Sequence, residues 1–259
     1  MSSRIPLLAA NWKMNLSRRE ARNLVEDLVK AIGPVTGREV VLAPSFHLLI
    51  EVGALLQGKA GYHLSSQNLY WKDSGAFTGE ISAMMLRDCG CSYAIIGHSE
   101  RRAYFHETDT DCHKKVHAAL ENGMTPILCV GETLEQREAG RTREIVVGQM
   151  QGALKGQKID GGHHLVVAYE PVWAIGTGKN DSPEEANKTM AVLREELGTL
   201  FGERVSQQVR LLYGGSVKPG NIDAFMATAH IDGALVGGAS LEAASFARIV
   251  KFESIAVKS

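Results

Sequence analysis

The segment LVVAYEPVWAIGTGK, residues 165–179, sets the pattern from which the rest of the sequence is interpreted. It begins with a short valine-rich run, which is typical of a buried strand, and it carries a carboxylate, Glu170, at the strand's end. After a long loop, Ser182 and Pro183 supply an N-cap and a first helical residue, and Glu185 completes a predicted capping box. Long loops inside compact α/β proteins usually carry function, so a functional site is expected here.

The glycines of this loop do not fit a nucleotide-binding motif. A Walker pattern ending at Lys179 would need glycine where Trp173 stands and serine or threonine where Asn180 stands. The dinucleotide pattern would need glycine in place of Asp181. Both nucleotide interpretations therefore fail.

Residues Pro171 to Lys179 are instead predicted to form a lid. Trp173 and Ile175 are costly to expose permanently, and Gly176 and Gly178 provide freedom for a hinge. We therefore expect Glu170 to be more than a solvated carboxylate at a strand end.

The same order of short apolar strand and helix repeats along the chain. The predicted strands cover residues 7–11, 40–43, 62–67, 93–96, 125–130, 165–169, 209–213 and 233–236. The predicted helices cover residues 18–32, 45–56, 83–86, 111–121, 134–154, 183–201, 219–227 and 241–252. Eight such units in 259 residues indicate an α/β protein with a (β/α)₈ TIM barrel, formed as a single domain over residues 1–259. A doubly wound parallel sheet is the structural alternative.

Charge and composition exclude several partners. The net charge of −1 gives no general attraction to nucleic acid or anionic membranes. No apolar run reaches membrane-spanning length, and the N-terminal stretch is too short for a signal peptide, so we expect a cytoplasmic protein without a membrane partner.

The cysteines and histidines do not predict a metal site. Four cysteines in a chain of 259 residues suggest reduced thiols, and Cys89 and Cys91 lack a second pair for zinc. His113 and His117 lie one helical turn apart, but no third ligand accompanies them. We therefore expect no metal ion.

Polar residues follow several of the predicted strands where they end. Asn11 and Lys13 follow the first strand, His98 the fourth and Glu170 the sixth. Glycine pairs follow the seventh and eighth strands, at residues 214–215 and 237–238. In a (β/α)₈ barrel these ends form the active face, and the loops after strands seven and eight commonly bind phosphate. A lysine, a histidine, a carboxylate and bare backbone amides are therefore expected in one place.

These motifs resemble the triosephosphate isomerase family. The resemblance rests on Asn11-x-Lys13, GHSERR at 97–102, AYEPVWAIGTG at 168–178, YGGS at 213–216 and LVGGAS at 235–240. It runs from the first strand to the last helix in the family's order. The resemblance implies interconversion of dihydroxyacetone phosphate and D-glyceraldehyde 3-phosphate through an enediol(ate), in glycolysis and gluconeogenesis. It also implies that the reaction requires no metal ion or organic cofactor.

The same resemblance implies roles for individual residues. It makes Glu170 the general base, His98 the electrophile, Lys13 the cation that offsets negative charge and Asn11 a group that orients substrate oxygens. Glu100 would hold Lys13 or His98 in place. The implied contacts to the substrate, phosphate included, come from Asn11, Lys13, Gly176, Ser216, Gly237 and Gly238.

The resemblance also implies a homodimer. The long third loop, Ser66 to Glu80, would reach into the partner subunit, with Thr78 near the partner's strand-one loop. Phe77 and Trp71 are poor choices for permanent exposure, although a flexible surface loop is the simpler interpretation.

Two other functions remain open from the residues alone. One is a different phosphosugar enzyme, such as an aldolase or synthase, which would be expected to carry a Schiff-base lysine on a strand, whereas Lys13 lies beyond the strand end. The other is a phosphate-binding or scaffold protein without activity, which would not need Lys13, His98 and Glu170 together.

Overall fold

Eight parallel strands close on themselves in the computed structural model of the protein, which describes residues 4–174 and 181–253. The strands are β1 Leu7–Asn11, β2 Glu39–Ala43, β3 Tyr62–Ser66, β4 Cys91–Ile96, β5 Thr125–Val130, β6 Val166–Tyr169, β7 Arg210–Tyr213 and β8 Gly233–Val236. They pair in sequence order, and β8 returns to β1. The predicted (β/α)₈ barrel is confirmed, and the doubly wound alternative is excluded because the sheet closes on itself.

Helices follow the strands and cover the outside of the barrel. They are α1 Arg18–Ile32, α2 Leu49–Leu56, α3 Ala83–Asp88, α4 Ser99–Phe105, α5 Asp109–Glu121, α6 Leu134–Glu138, α7 Thr142–Leu154, α8 Pro183–Phe201, α9 Glu203–Ser206, α10 Ile222–Met226 and α11 Ala243–Val250. Short 3₁₀ turns cover Phe46–Leu48, Gly162–His164, Val172–Ala174 and Gly238–Leu241.

The start of α8 is capped much as the sequence predicts. The Ser182 hydroxyl accepts the Glu185 N–H at 3.1 Å, and Pro183 is the first helical residue. The Glu185 carboxylate, however, binds Lys188 at 2.5 Å. The reciprocal half of the predicted capping box is therefore wrong, because a lysine one turn along the helix competes for the carboxylate.

Successive residues of each strand point alternately into the barrel and toward the helices, as a period of two requires. In β1, Leu7 and Ala9 face the interior, whereas Leu8 and Ala10 pack under the helices. The interior cluster contains Leu7, Ala9, Val41, Ala43, Tyr93, Ile95, Ile127, Cys129, Val166, Ala168, Leu212 and Leu235. Both faces are buried, which explains why the strands are apolar throughout.

The barrel closes between β8 and β1, where Gly233 lies opposite Leu7. A Cβ atom at residue 233 would lie 1.9 Å from the Leu7 carbonyl oxygen. Just before it, Asp232 accepts Arg194 of α8 at 2.6 Å and the Leu211 N–H at 2.9 Å. A glycine and a buried ion pair therefore fix the last strand against both neighbours.

The predicted helix over residues 134–154 is two helices, α6 and α7. The Arg137 carbonyl accepts the N–H of Gly140, which has a φ of +70°, and the chain turns before α7 begins at Thr142. Residues 135–144 carry no large apolar side chain, so no apolar stripe joins the two helices, and Gly140 within this polar run marks the break. The short helix α9 was not predicted, and β4 begins two residues earlier than expected.

All four cysteines are free thiols, as predicted. Burial raises the pKa of Cys91 and of Cys112 to about 12, and it raises that of Cys129 as well. Within residues 4–174 and 181–253, no group of three or more His, Cys, Asp or Glu side chains could hold a metal ion. Among these same residues, no helix has the length and apolar character needed to cross a membrane.

We expect Gly233→Ala to destabilise the protein by more than about 3 kcal/mol, since its methyl group would collide with backbone at the seam. Gly148→Ala in α7 is the matched control, because nothing lies within 4 Å of its added Cβ. The control should be neutral or slightly stabilising. Thermal and urea unfolding would measure both variants. Equal midpoints for Gly233→Ala and wild type would contradict this account of barrel closure.

Candidate active site

The carboxyl ends of the strands surround a cavity of about 360 Å³. Most of the residues for which catalysis or substrate binding was predicted line it together, namely Asn11, Lys13, His98, Glu170, Ser216, Gly237 and Gly238. The exception is Gly176, which belongs to the predicted lid, Pro171 to Lys179, and lies outside the described residues. Residues from five of the eight strand ends therefore meet at one place, as the barrel predicts.

Glu170 is the most deeply buried charged group in the cavity, with 2% of its surface exposed. One carboxylate oxygen lies 3.0 Å from His98 Nε2, and the other accepts the Ser99 N–H at 3.0 Å. Burial raises the pKa of this carboxyl, but His98 and the Ser99 N–H outweigh burial and hold the pKa below its ordinary value. Glu170 is therefore an ionised, largely desolvated carboxylate.

Two glycines make room for this carboxylate at the rim of the barrel. A Cβ atom at Gly131 would lie 1.7 Å from the Glu170 carbonyl oxygen. A Cβ atom at Gly214 would lie 2.9 Å from Glu170 Cγ. The loops after β5 and β7 can therefore approach the end of β6 from both sides.

His98 occupies the N-cap position of α4. Its Nδ1 accepts the Glu100 N–H at 3.2 Å. The residue before it, Gly97, has a φ of +73°, a conformation that a residue with a Cβ adopts only under strain. Burial lowers the pKa of His98, but the Glu170 and Glu100 carboxylates outweigh burial and raise it above its ordinary value. When the ring is neutral, Nδ1 accepts the hydrogen bond and the proton lies on Nε2, which faces Glu170 and the cavity.

Lys13 is held in a strained backbone conformation, with a φ of +53°. Its N–H donates to Asn11 Oδ1 at 3.0 Å, and its carbonyl accepts Gln67 Nε2 at 2.8 Å. The Lys13 ammonium group lies 2.6 Å from the Glu100 carboxylate. Gln67 also donates to the Ala43 carbonyl at 2.9 Å, so it ties the Lys13 loop to the end of β2.

The opposite end of the cavity is lined by the loops after β7 and β8. Ser216 comes from the first loop, and Gly237 and Gly238 come from the second, where Gly238 begins a 3₁₀ turn. A Cβ atom at Gly237 would lie 3.4 Å from Lys13 Cε, so the lysine crosses close to bare backbone. Lys218 adds a second cation to the lining. Backbone amides at a turn's start and two cations suit a bound anion.

Several contributors were missed from the sequence. Gln67 and the Ser99 N–H act through backbone contacts, which residue patterns do not reveal. Lys218 could have been noticed, because it follows the glycine and serine motif by two residues. Glu107 was also missed, although it is buried and accepts the Gly97 N–H at 3.1 Å directly beside His98.

The long third loop packs partly on itself. Tyr70 stacks on Trp71 with ring centroids 4.2 Å apart, and Phe77 lies 4.7 Å from Tyr70. Lys114 Nζ lies 4.7 Å above the Trp71 ring. Phe77 nevertheless keeps 39% of its surface exposed. The aromatic residues of this loop are therefore organised but incompletely covered.

Comparison with known proteins adds an independent observation. The profile of the family described as Triosephosphate isomerase matches residues 6–253. The triosephosphate isomerase of Roseiflexus sp. (strain RS-1) is 53% identical over 96% of this chain and 98% of that protein. That of Thermoanaerobacter pseudethanolicus is 49% identical over 96% of this chain and its full length. The crystal structure of triosephosphate isomerase from Bartonella henselae matches with a TM-score of 0.86 and 36% identity, over 95% of this chain and 97% of that one.

We expect Glu107→Gln to destabilise the protein by about 3–5 kcal/mol, because Lys115 and Arg101 would lose a buried partner. Burial raises the pKa of Glu107, but Lys115 and Arg101 lower it by more, so the pKa lies below its ordinary value. The ionised Glu107 carboxylate therefore stabilises the fold above the ordinary carboxyl pKa. This stabilisation is lost as the pH falls through the lowered pKa of Glu107. The stability difference between wild type and variant should shrink in acid. Urea unfolding across pH would measure it, and a constant difference would contradict the ion-pair explanation.

Proposed function

The chain belongs to the triosephosphate isomerase family, whose members are isomerases, and we propose that it interconverts dihydroxyacetone phosphate and D-glyceraldehyde 3-phosphate. One observation carries this proposal: a buried, ionised carboxylate, Glu170, faces a histidine ring nitrogen across 3.0 Å at one end of an otherwise cationic cavity. Moving a proton between neighbouring carbons requires such a base together with a donor for the oxygen that becomes negative.

In this proposal Glu170 removes the carbon-bound proton and returns it to the adjacent carbon. A glutamate base with a neutral histidine is the established arrangement for triosephosphate isomerase itself, and we take these roles from it. His98 suits the second role, because its Nδ1 accepts a backbone N–H and its Nε2–H is left to donate to substrate oxygens. A substrate between Glu170 and His98 would replace their direct contact. The enediol(ate) would then lie between the base and the donor.

The rest of the cavity supports recognition of a phosphate. Lys13 is the cation that offsets charge on the phosphate and the developing oxyanion, and Asn11 orients substrate oxygens. Ser216, Gly237 and Gly238 are proposed to contact the phosphate, with Lys218 near them. Glu100 positions Lys13 through the 2.6 Å ion pair. Gly176 remains a predicted phosphate contact, and closure of the predicted lid remains a prediction.

We place this activity in glycolysis and gluconeogenesis in the cytoplasm, carried by a single domain over residues 1–259. The two alternatives are less well supported. An aldolase of the Schiff-base type would be expected to carry a lysine on a barrel strand facing the substrate, whereas Lys13 lies two residues beyond β1. A scaffold protein without activity gives no reason to bury Glu170 against His98. A coupled isomerase assay separates all three.

We expect Glu170→Gln to lower kcat by at least about 100-fold, because the base is lost. Glu170→Asp should also lower it strongly, since the shorter side chain misplaces the carboxylate. Both variants should still bind a phosphate-bearing inhibitor, because the anion contacts lie elsewhere in the cavity. The measurement is a coupled assay in both directions, together with inhibitor titration.

Glu121→Gln is the matched control for charge removal, since Glu121 ends α5 and is exposed. Its kcat should equal that of wild type. Near-normal turnover in Glu170→Gln would refute the assignment of the base.

We also propose a homodimer held by the loop Ser66 to Glu80. Large apolar side chains are exposed in this loop, in the loop after β1, and on α3 and α4, namely Met14 at 94%, Phe77 at 39%, Met84 at 53%, Met85 at 49% and Phe105 at 65%. Such side chains on one molecule favour a protein interface. Thr78 is proposed to contact the partner's strand-one loop, so that dimerisation would order Asn11 and Lys13.

Shortening Ser74 to Thr78 should therefore give folded monomers that lose most activity, and dilution should reduce the remainder further. Analytical ultracentrifugation with circular dichroism would report assembly and folding, and the isomerase assay would report activity. A wild-type protein that sediments as a monomer at assay concentration while fully active would refute this coupling.

A further inference from the structure

An ion pair outside the substrate cavity joins the start of α8 to the loop after β5. Arg137 of α6 donates to Asp181 at 3.2 Å, one residue before the N-cap Ser182. The same guanidinium lies 3.4 Å from Glu132 and 4.6 Å from the centre of the Trp173 ring. Arg137 therefore contacts residues on both sides of residues 175–180. Neither Arg137 nor any of these three partners lines the cavity.

Glu132 carries this connection to the end of β6. It is completely buried, and its Oε1 accepts the Tyr169 hydroxyl at 3.0 Å and Trp173 Nε1 at 3.2 Å. Its backbone carbonyl accepts the Val172 N–H at 3.1 Å. Tyr169 directly precedes Glu170, and Val172 and Trp173 follow it closely. One glutamate thus fixes the chain before and after the carboxylate at the centre of the site.

We propose that Asp181 and Arg137 are positioning residues for the isomerase reaction, which hold Glu132 in place and thereby fix the main chain around Glu170. The inference rests on the proposed function, because it concerns the placement of the proposed base. Asp181 and Arg137 touch no substrate. They act on the reaction through Glu132, and Arg137 also contacts the Trp173 ring.

The burial of Asp181 is difficult to explain by stability. Only 4% of its surface is exposed, and its Oδ2 has no hydrogen-bond partner in the described part of the chain. Burial is the largest influence and raises the pKa of Asp181 to about 6, even though Arg137 opposes the shift. The other groups that face it from packed elements are Glu132, Glu185 and Tyr213.

The raised pKa of Asp181 determines how the stability of the fold changes with pH. The folded protein binds a proton at Asp181 more tightly than the unfolded chain does. Stability therefore falls as the pH rises from the ordinary aspartate value to about 6, and at higher pH the ionised carboxylate is a net cost to folding. Ionisation is nevertheless the state that attracts Arg137. The ion pair that positions Glu132 should thus form above pH 6 and weaken below it.

The test compares wild type, Asp181→Asn, Arg137→Gln and the double variant. We expect each single substitution to lower kcat by about tenfold with less than a twofold change in KM, since misplacement acts on the chemical step. The double variant should be no worse than either single variant, because one connection is broken in all three. Between about pH 5 and 7, kcat should depend less steeply on pH in Asp181→Asn than in wild type.

The unfolding temperature distinguishes a positioning role from a merely structural one. At about pH 8, Asp181→Asn should unfold at the same temperature as wild type or higher, although it is slower. Asp223→Asn is the matched control, because Asp223 forms an ion pair with Arg248, neither residue lines the cavity, and the Arg248 guanidinium lowers the pKa of Asp223. The control should unfold at a lower temperature and keep the kcat of wild type.

The outcomes separate this inference from the proposed function. If wild type does not isomerise dihydroxyacetone phosphate, the proposed function fails. If wild type is active and Asp181→Asn keeps its kcat and pH profile, only the positioning role is overturned. A lower melting temperature together with a lower kcat in Asp181→Asn would also overturn the positioning role, since the two losses together would indicate a structural role.

Discussion

Closure of the sheet is the constraint on which the rest of the molecule depends. Because all strands run in the same direction around a closed ring, their carboxyl ends share one rim. Residues as distant in sequence as Asn11 and Gly237 therefore line one cavity. The ring closes only where β8 meets β1, and the close approach of Gly233 to Leu7 allows no side chain there. The chemistry at one end of the barrel thus depends on backbone packing at the other.

The site is built by burying carboxylates beside partners that keep them ionised. Glu170 has His98 and a backbone N–H, and Glu107 has Arg101, Lys115 and the Gly97 N–H. Removing a partner from such a group costs far more than the pair contributes, because a charge is left without water or counterion. This arrangement is demanding to fold, but its dipoles need little reorganisation when a substrate arrives.

Much of this molecule could be predicted from the sequence, for identifiable reasons. Buried parallel strands have apolar runs on both faces, and residues at their ends stand out because stability does not explain a lysine, a histidine or a glutamate there. The break between α6 and α7 was missed although Gly140 and the polar run around it mark the position. Gln67 and Arg137 were also missed. Their partners lie 54 and 44 residues away in sequence, and no local pattern records such pairs.

Because most of the thiols are buried, their rate of alkylation measures how often the surrounding structure opens. Cys129 lies inside the barrel, Cys91 begins β4 and Cys112 is on the buried face of α5, whereas Cys89 is only half-buried. Thiolates are the species that react with alkylating reagents, and burial suppresses both their formation and their access. A reagent in solution would meet Cys89 first. The slower rates at which the other three cysteines are modified would report how often the strands and helices around them separate.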